Sequence, residues 1–212
     1  MDATLNQTLP PHSSRISFVL VRPSHPGNIG AAARAIKTMG FTDLRVVAPV
    51  DPEYRTNPDA VAFSTSSVDV LKHSRDYPSL EAALTDVALP FAMTGYSRRF
   101  GPALETMRQS ADRAGLWAEE NKGPGIAFVF GCERSGLTNE EVGLCRFATA
   151  IPANPLSQSL NLAQAVQIAA YEMHMALLQR AHAAGLYGWQ QRFEQDPAAS
   201  AAAVEGLMRH WE

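Results

Sequence analysis

Phe130-Gly131-Cys132-Glu133-Arg134-Ser135-Gly136-Leu137-Thr138-Asn139-Glu140-Glu141 is where the architecture first becomes readable. The apolar run 126–130, entered through Gly123-Pro124-Gly125, predicts a strand. A glycine turn carrying one acid ends it. Thr138 then caps a helix reaching residue 145, with Glu140 and Glu141 in the first turn, where the helix dipole favours acids. Strand, turn and capped helix make one step of an open α/β sheet, in which ligands bind at the carboxyl ends of the strands. Gly131 and Gly136 permit close backbone approach there. Taken alone, Glu133 also reads as an exposed loop acid paired with Arg134, and Cys132 as a small buried residue.

The same alternation extends in both directions. Ile16–Val21 is a β-rich run, and residues 28–39 form an alanine-rich helix closed by Gly40. Residues 44–48, 88–93 and 147–151 are further strands, giving five with 126–130. Residues 66–72 and 79–84 read as short helical pieces, and 51–65 as loop with room for a short helix. A helix over 102–119 starts at proline, where proline is tolerated. The long final helix runs from about 160 to 184. The prediction is an α/β domain with a mainly parallel sheet over 15–184. Residues 1–14 are a loose leader. Residues 185–212 are a tail with one more helix over 197–211, which stops without a capping signal and is expected to continue.

Apolar residues make up 46% of the 212 and charged residues 18%, enough to bury a core. No stretch has the uninterrupted apolar length of a membrane helix, and the first residues lack the layout of a signal peptide. A cytoplasmic protein is expected. Cys132 and Cys145 are too few for a disulfide scaffold, and the six histidines show no metal-site spacing. Net charge is −3 and the pI about 6.1, which opposes a broad nucleic-acid surface. Two acid-free stretches qualify this. Residues 15–42 hold Arg15, Arg22, Arg34 and Lys37, and residues 87–104 hold Arg98 and Arg99.

Three more segments carry polar residues at strand-to-helix junctions. Arg22-Pro23-Ser24-His25-Pro26-Gly27-Asn28-Ile29-Gly30-Ala31-Ala32-Ala33-Arg34 leaves a strand and opens a helix. Asn28 and Arg34 lie about 240° apart on an ideal helix. They share a site only if Asn28 stands in the loop before the regular turns; otherwise Asn28 is a cap and Arg34 a solvated surface residue. Ile151-Pro152-Ala153-Asn154-Pro155-Leu156-Ser157-Gln158-Ser159-Leu160-Asn161-Leu162-Ala163 brings a polar loop to a helix start, with Ser159 available as a cap. Thr94-Gly95-Tyr96-Ser97-Arg98-Arg99 follows the strand 88–93. No G-x-G-x-x-G, Walker A or G-x-S-x-G pattern is present, which disfavours dinucleotide, P-loop and hydrolase readings.

In this order, over roughly residues 16–172, the segments resemble the SpoU/TrmH family of RNA ribose methyltransferases. The matching stretches are Asn28 to Arg34, Phe130-Gly131-x-Glu133-x-x-Gly136-Leu137, and Ile151-Pro152 to Ser159-Leu160-Asn161-Leu162-Ala163. Ala153-Asn154-Pro155 and the Gly95-x-Ser97-x-Arg99 pattern are similar to the subgroup that methylates a pyrimidine ribose at tRNA position 32. Tyr96-Ser97-Arg98 departs from that subgroup, which carries smaller residues there. The resemblance implies a SPOUT fold with a C-terminal trefoil knot formed by residues from about 95 to 171. It implies a homodimer with two active sites near the interface. It also implies S-adenosylmethionine bound by Tyr96, Ser97, Arg98, Gly131, Ile151, Ser159, Leu160 and Asn161.

A ribose hydroxyl is a poor nucleophile until its proton leaves, so the enzyme must align it and ease that loss. The family role of activator falls on Arg34, with Asn28, Glu133, Ser159 and Asn161 as orienting groups. A guanidinium is an awkward base, and binding a phosphate while stabilising a developing alkoxide suits it better. Arg22, Arg34, Arg98 and Arg99 are the expected RNA contacts, with no DNA or membrane partner. Methylation of rRNA or another tRNA position, a non-catalytic RNA-binding relative, and an unrelated nucleotide-binding enzyme are the alternatives. The apolar face Ala165, Ile168, Ala169, Tyr171 and Met175 of the last helix is the expected dimer surface, unless it is core.

Overall fold

The computed structural model describes residues 12–95, 101–120, 123–180 and 200–211. Seven parallel strands form one sheet in the order β3-β2-β1-β6-β4-β7-β5. They are β1 (Ile16–Val21), β2 (Asp43–Val47), β3 (Arg75–Tyr77), β4 (Val87–Met93), β5 (Leu104–Thr106), β6 (Gly125–Phe130) and β7 (Phe147–Ala150). The helices are α1 (Pro26–Thr38), α2 (Pro58–Ser64), α3 (Val68–Lys72), α4 (Leu80–Ala83), α5 (Met107–Glu120), α6 (Asn139–Gly143), α7 (Leu162–Arg180) and, in the tail, α8 (Ala201–Trp211).

β1 is buried along its whole length because both faces of the sheet are covered, as parallel sheets require. Ile16, Phe18 and Leu20 join a core with Ile29, Ile36, Ala114 and Val166 of α1, α5 and α7. Val19 and Val21 point the other way, to Leu80 of α4 and Val142 of α6. An aromatic row crosses the first face. Phe18 meets Phe41 at 5.3 Å and Phe128 at 6.0 Å, and Phe91 meets Phe128 at 5.1 Å and Phe147 at 5.5 Å. α2 lies so close on α1 that a Cβ at Gly30 would stand 2.0 Å from the Ala60 carbonyl oxygen.

The amino ends of the strands are tied by charge. Arg45 is buried and donates to Asp43 at 3.0 Å and to Asp86 at 2.9 Å, while Arg75 donates to Asp43 at 2.7 Å. Burial pushes the Asp43 carboxyl up, but hydrogen bonds from Arg75, Ser17 and Arg45 outweigh it and leave the group below its ordinary value. With that end closed, the carboxyl ends remain for a site.

Two strands exceed the five expected, and both are edges. β3 (RDY) and β5 (LET) have three residues each and no apolar run. The expected helix from residue 102 therefore begins only at Met107. α1 begins at Pro26, two residues before Asn28, and α7 at Leu162 rather than near 160. Gly40 closes the α1 end with φ 84°, in the left-handed region that glycine enters freely.

Candidate active site

β4, β6 and β7 end around a cleft of about 470 Å³. Met93, Thr94 and Gly95 come from the β4 end, Phe130 to Leu137 from the turn after β6, and Thr149 and Ile151 from β7. Gln158, Ser159 and Leu160 of the following loop, with Leu162 and Ala165 of α7, close it. The turn after β6 is a tight loop. Cys132 and Gly136 bridge across it, and Gly136 has φ 66°. A Cβ at Gly131 would stand 2.1 Å from the Gly136 carbonyl carbon and 2.2 Å from the Leu137 nitrogen, so only glycine lets the two arms meet.

Glu133 binds the loop after β1. Its carboxylate accepts from the Ser24 N–H at 2.9 Å, the Ser24 hydroxyl at 2.8 Å, the His25 N–H at 3.3 Å and Asn28 Nδ2 at 2.8 Å. Burial pushes this carboxyl up, but hydrogen bonds from Asn28 and Ser24 more than offset that and hold it below the ordinary carboxylate value. Four donors use the carboxylate's acceptor capacity. Glu133 therefore ties the turn after β6 to the loop after β1 and to the first turn of α1. Asn161 Nδ2 donates to Asn28 Oδ1 at 3.0 Å, and Asn161 Oδ1 accepts from the Ala163 N–H at 2.9 Å and the Gln164 N–H at 3.4 Å.

Residues 15–171 match the SpoU rRNA methylase family. The chain belongs to that family. The tRNA (cytidine/uridine-2′-O-)-methyltransferase TrmJ of Yersinia enterocolitica is 42% identical over 169 residues, 80% of this chain and 63% of that protein. TrmJ of Yersinia pestis strain Pestoides F is 41% identical over 197 residues, 93% of this chain and 72% of that one. The chain thus spans less than two thirds of the first of these relatives. Among solved structures, a "probable methyltransferase" from Bordetella pertussis Tohama I is 46% identical with a TM-score of 0.75, covering 79% of this chain and 98% of that one. TrmJ from Z. mobilis ZM4 is 39% identical with a TM-score of 0.68, covering 74% and 67%.

The SpoU-family motifs meet in this domain, but not all their residues meet at the cleft. Gly131, Glu133, Ile151, Ser159 and Leu160 line it, and Asn28 and Asn161 join Glu133 beside it. Asn28 is not a cap: it lies inside α1 and faces Glu133. The capping reading of Ser159 is corrected likewise, since Asn161 caps α7 and Ser159 is free for the cleft. Glu133 binds the loop after β1 rather than forming a surface pair with Arg134. Cys132 is half-buried on the cleft wall rather than a core residue.

Arg34 is exposed and does not line the cleft, and its guanidinium has no hydrogen bond or ion pair among the described residues. With Asn28 in the helix, the two sit on different sides of α1, as the 240° spacing requires. Arg22 is engaged within the domain. It pairs with Glu141, whose carboxylate also accepts from the Thr138 N–H at 2.7 Å and completes a capping box on α6. Tyr96, Ser97, Arg98 and Arg99 lie outside the described residues. On α7, Ala165 lines the cleft and Ala169 is fully buried, whereas Ile168 and Met175 of the expected dimer face are half-buried and Tyr171 is exposed.

Sequence reading did not find Ser24 and His25 as partners of Glu133, nor Met93, Thr149, Gln158 and Leu162 as lining. Met93 and Phe130 are the last residues of strands it had located, and the strand-end rule points to them. Among the described residues no helix is long and apolar enough to cross a membrane, and no His, Cys, Asp and Glu cluster could hold a metal ion.

Proposed function

We propose that this chain transfers the methyl group of S-adenosylmethionine to a ribose 2′-hydroxyl of tRNA, at a pyrimidine in position 32 of the anticodon loop. The observation that carries the reading is the convergence of the family motifs on one cleft at the strand carboxyl ends, locked by the Asn28, Glu133 and Asn161 hydrogen bonds. The TrmJ relatives support tRNA over rRNA as substrate. The cytoplasm follows as the compartment.

The cleft fits such a cofactor by its own chemistry. Its volume lies in the range of small-molecule sites. Phe130, Leu137 and Leu160 offer apolar wall for an adenine, and the bare backbone at Gly131 and the Ser159 hydroxyl offer polar contacts. Tyr96, Ser97, Arg98, Ile151 and Asn161 complete the expected set. Bound there, the cofactor supplies an electrophilic methyl group. The protein's task is then to place the ribose oxygen and ease its deprotonation. Arg34, always charged and exposed on α1, suits a bidentate hold on the neighbouring phosphate and stabilisation of the developing alkoxide.

Because Arg34 lies off the cleft of its own protomer, the reading includes a homodimer in which Arg34 of one protomer faces the cleft of its partner. Arg98 and Arg99 are the further phosphate contacts, and the trefoil knot belongs to the same reading. Calorimetry with S-adenosylmethionine, NAD and ATP tests the cofactor. Saturable binding of the first and none of the others is expected. Binding of NAD or ATP in place of S-adenosylmethionine overturns the proposal.

A further inference from the structure

Glu133, Asn28 and Asn161 come from three segments, and each hydrogen bond between them has one possible direction. An ionised carboxylate accepts and cannot donate, so Asn28 turns Nδ2 toward Glu133 and Oδ1 away. At the other end, the Ala163 and Gln164 N–H groups donate and cannot accept, so Asn161 turns Oδ1 to them and Nδ2 away. Asn161 Nδ2 then meets Asn28 Oδ1. Both ends impose the same polarity on both amides. A flip of either amide would set like atoms against each other on both its sides.

We propose that this polarised chain is a relay through which the Glu133 carboxylate positions the first turn of α7 and the loop before it against the cofactor cleft. Ser159, Leu160 and Leu162, the near neighbours of Asn161, all line the cleft, so a displaced Asn161 moves three lining residues together. Among the described residues Asn28 is the hydrogen-bonded link between Glu133 and Asn161. Asn28 is a positioning residue, acting on the cleft through Asn161. The inference deepens the cofactor reading and rests on it for the ligand used below.

Polarity gives the test. Asn161→Asp keeps an acceptor for the helix N–H groups but sets a carboxylate oxygen against Asn28 Oδ1. Asn28 escapes by flipping only if it turns that oxygen onto Glu133. Glu133→Gln has the converse fault. With its amide nitrogen toward Asn28 it forces a flip that sets Asn28 Nδ2 against Asn161 Nδ2, and with the nitrogen toward Ser24 it meets the Ser24 N–H. Together the two substitutions rebuild the relay in reverse. The amide at 133 donates to Asn28 Oδ1, and Asn28 Nδ2 donates to the carboxylate at 161, which still caps α7. The loss is the His25 contact, at 3.3 Å the longest of the four on Glu133.

S-adenosylmethionine affinity and thermal midpoint are measured for the parent, both single variants and the double variant. Each single variant is expected to bind about tenfold more weakly or worse, from loss of one relay hydrogen bond and the like-against-like contact that replaces it. The double variant is expected to bind more tightly than either, with its midpoint rising in parallel. A double variant that binds no better than the better single variant overturns the relay. Should a single variant fail to fold, recovery of folding in the double variant decides by the same rule. A parent protein that does not bind S-adenosylmethionine overturns the cofactor reading instead, and the midpoints alone then decide the relay.

Discussion

Replacing Arg34 with alanine is expected to lower methyl transfer by about a hundred- to a thousandfold, the cost of removing one preorganised group that stabilises developing charge. S-adenosylmethionine affinity should hardly change. Both expectations follow from the placement of Arg34: it is exposed, lies off the cleft, and its guanidinium has no partner among the described residues to lose. Its removal opens no cavity and strands no buried group, so the thermal midpoint should hold as well. Single-turnover methyl transfer to tRNA, alongside calorimetry, separates the two effects. Near-parental turnover would remove Arg34 from the mechanism, whereas a matching loss of cofactor affinity would make it a cleft residue after all.

Gly131→Ala should do the reverse, weakening cofactor binding first. The added methyl would meet the backbone of Gly136 and Leu137 at 2.1 and 2.2 Å, with no flexible side chain to yield. The turn after β6 must open, and Gly131, Cys132, Gly136 and Leu137 are all cleft wall. We expect affinity to fall by about a hundredfold or more and stability by about 1–3 kcal/mol, as for other overpacked sites. Gly143→Ala is the control, since a Cβ there meets nothing within 4 Å. Unchanged binding in Gly131→Ala would show that the turn is not part of the cofactor site. The two variants also test the dimer. Mixed subunits of Arg34→Ala and Gly131→Ala should regain activity if Arg34 of each protomer serves the cleft of its partner, and stay inactive otherwise.

The central strands were legible because burial on both faces leaves continuous apolar runs, and Ile16–Val21 was placed to the residue. β3 and β5 were not, because an edge strand of three residues carries no periodic signal. Leu104–Thr106 runs directly into α5, and its composition does not separate it from a helix. At the site, residue types were readable and partnerships were not. Asn28 and Glu133 are 105 positions apart, and Asn28 and Asn161 are 133 apart. No local spacing relates such residues; the parallel order β1-β6-β4-β7 brings their loops to one end of the sheet. Ser159 and Asn161 are both good capping residues, and composition alone could not rank them. The apolar stripe on α7 suits a dimer surface and core equally, and packing against α1 and α5 buries only Ala169 of it fully, leaving Ile168 and Met175 half-buried and Tyr171 exposed.

The most direct test of the account is to locate the product. The protein is incubated with S-adenosylmethionine and, separately, full-length tRNA, an isolated anticodon stem-loop and an rRNA fragment, and the modified nucleotide is mapped by mass spectrometry of nuclease fragments. The account predicts one methyl group on the ribose of a pyrimidine at position 32 of tRNA, with rRNA a poor substrate. Methylation confined to rRNA, or a methyl group on a base atom rather than the 2′-oxygen, would contradict it.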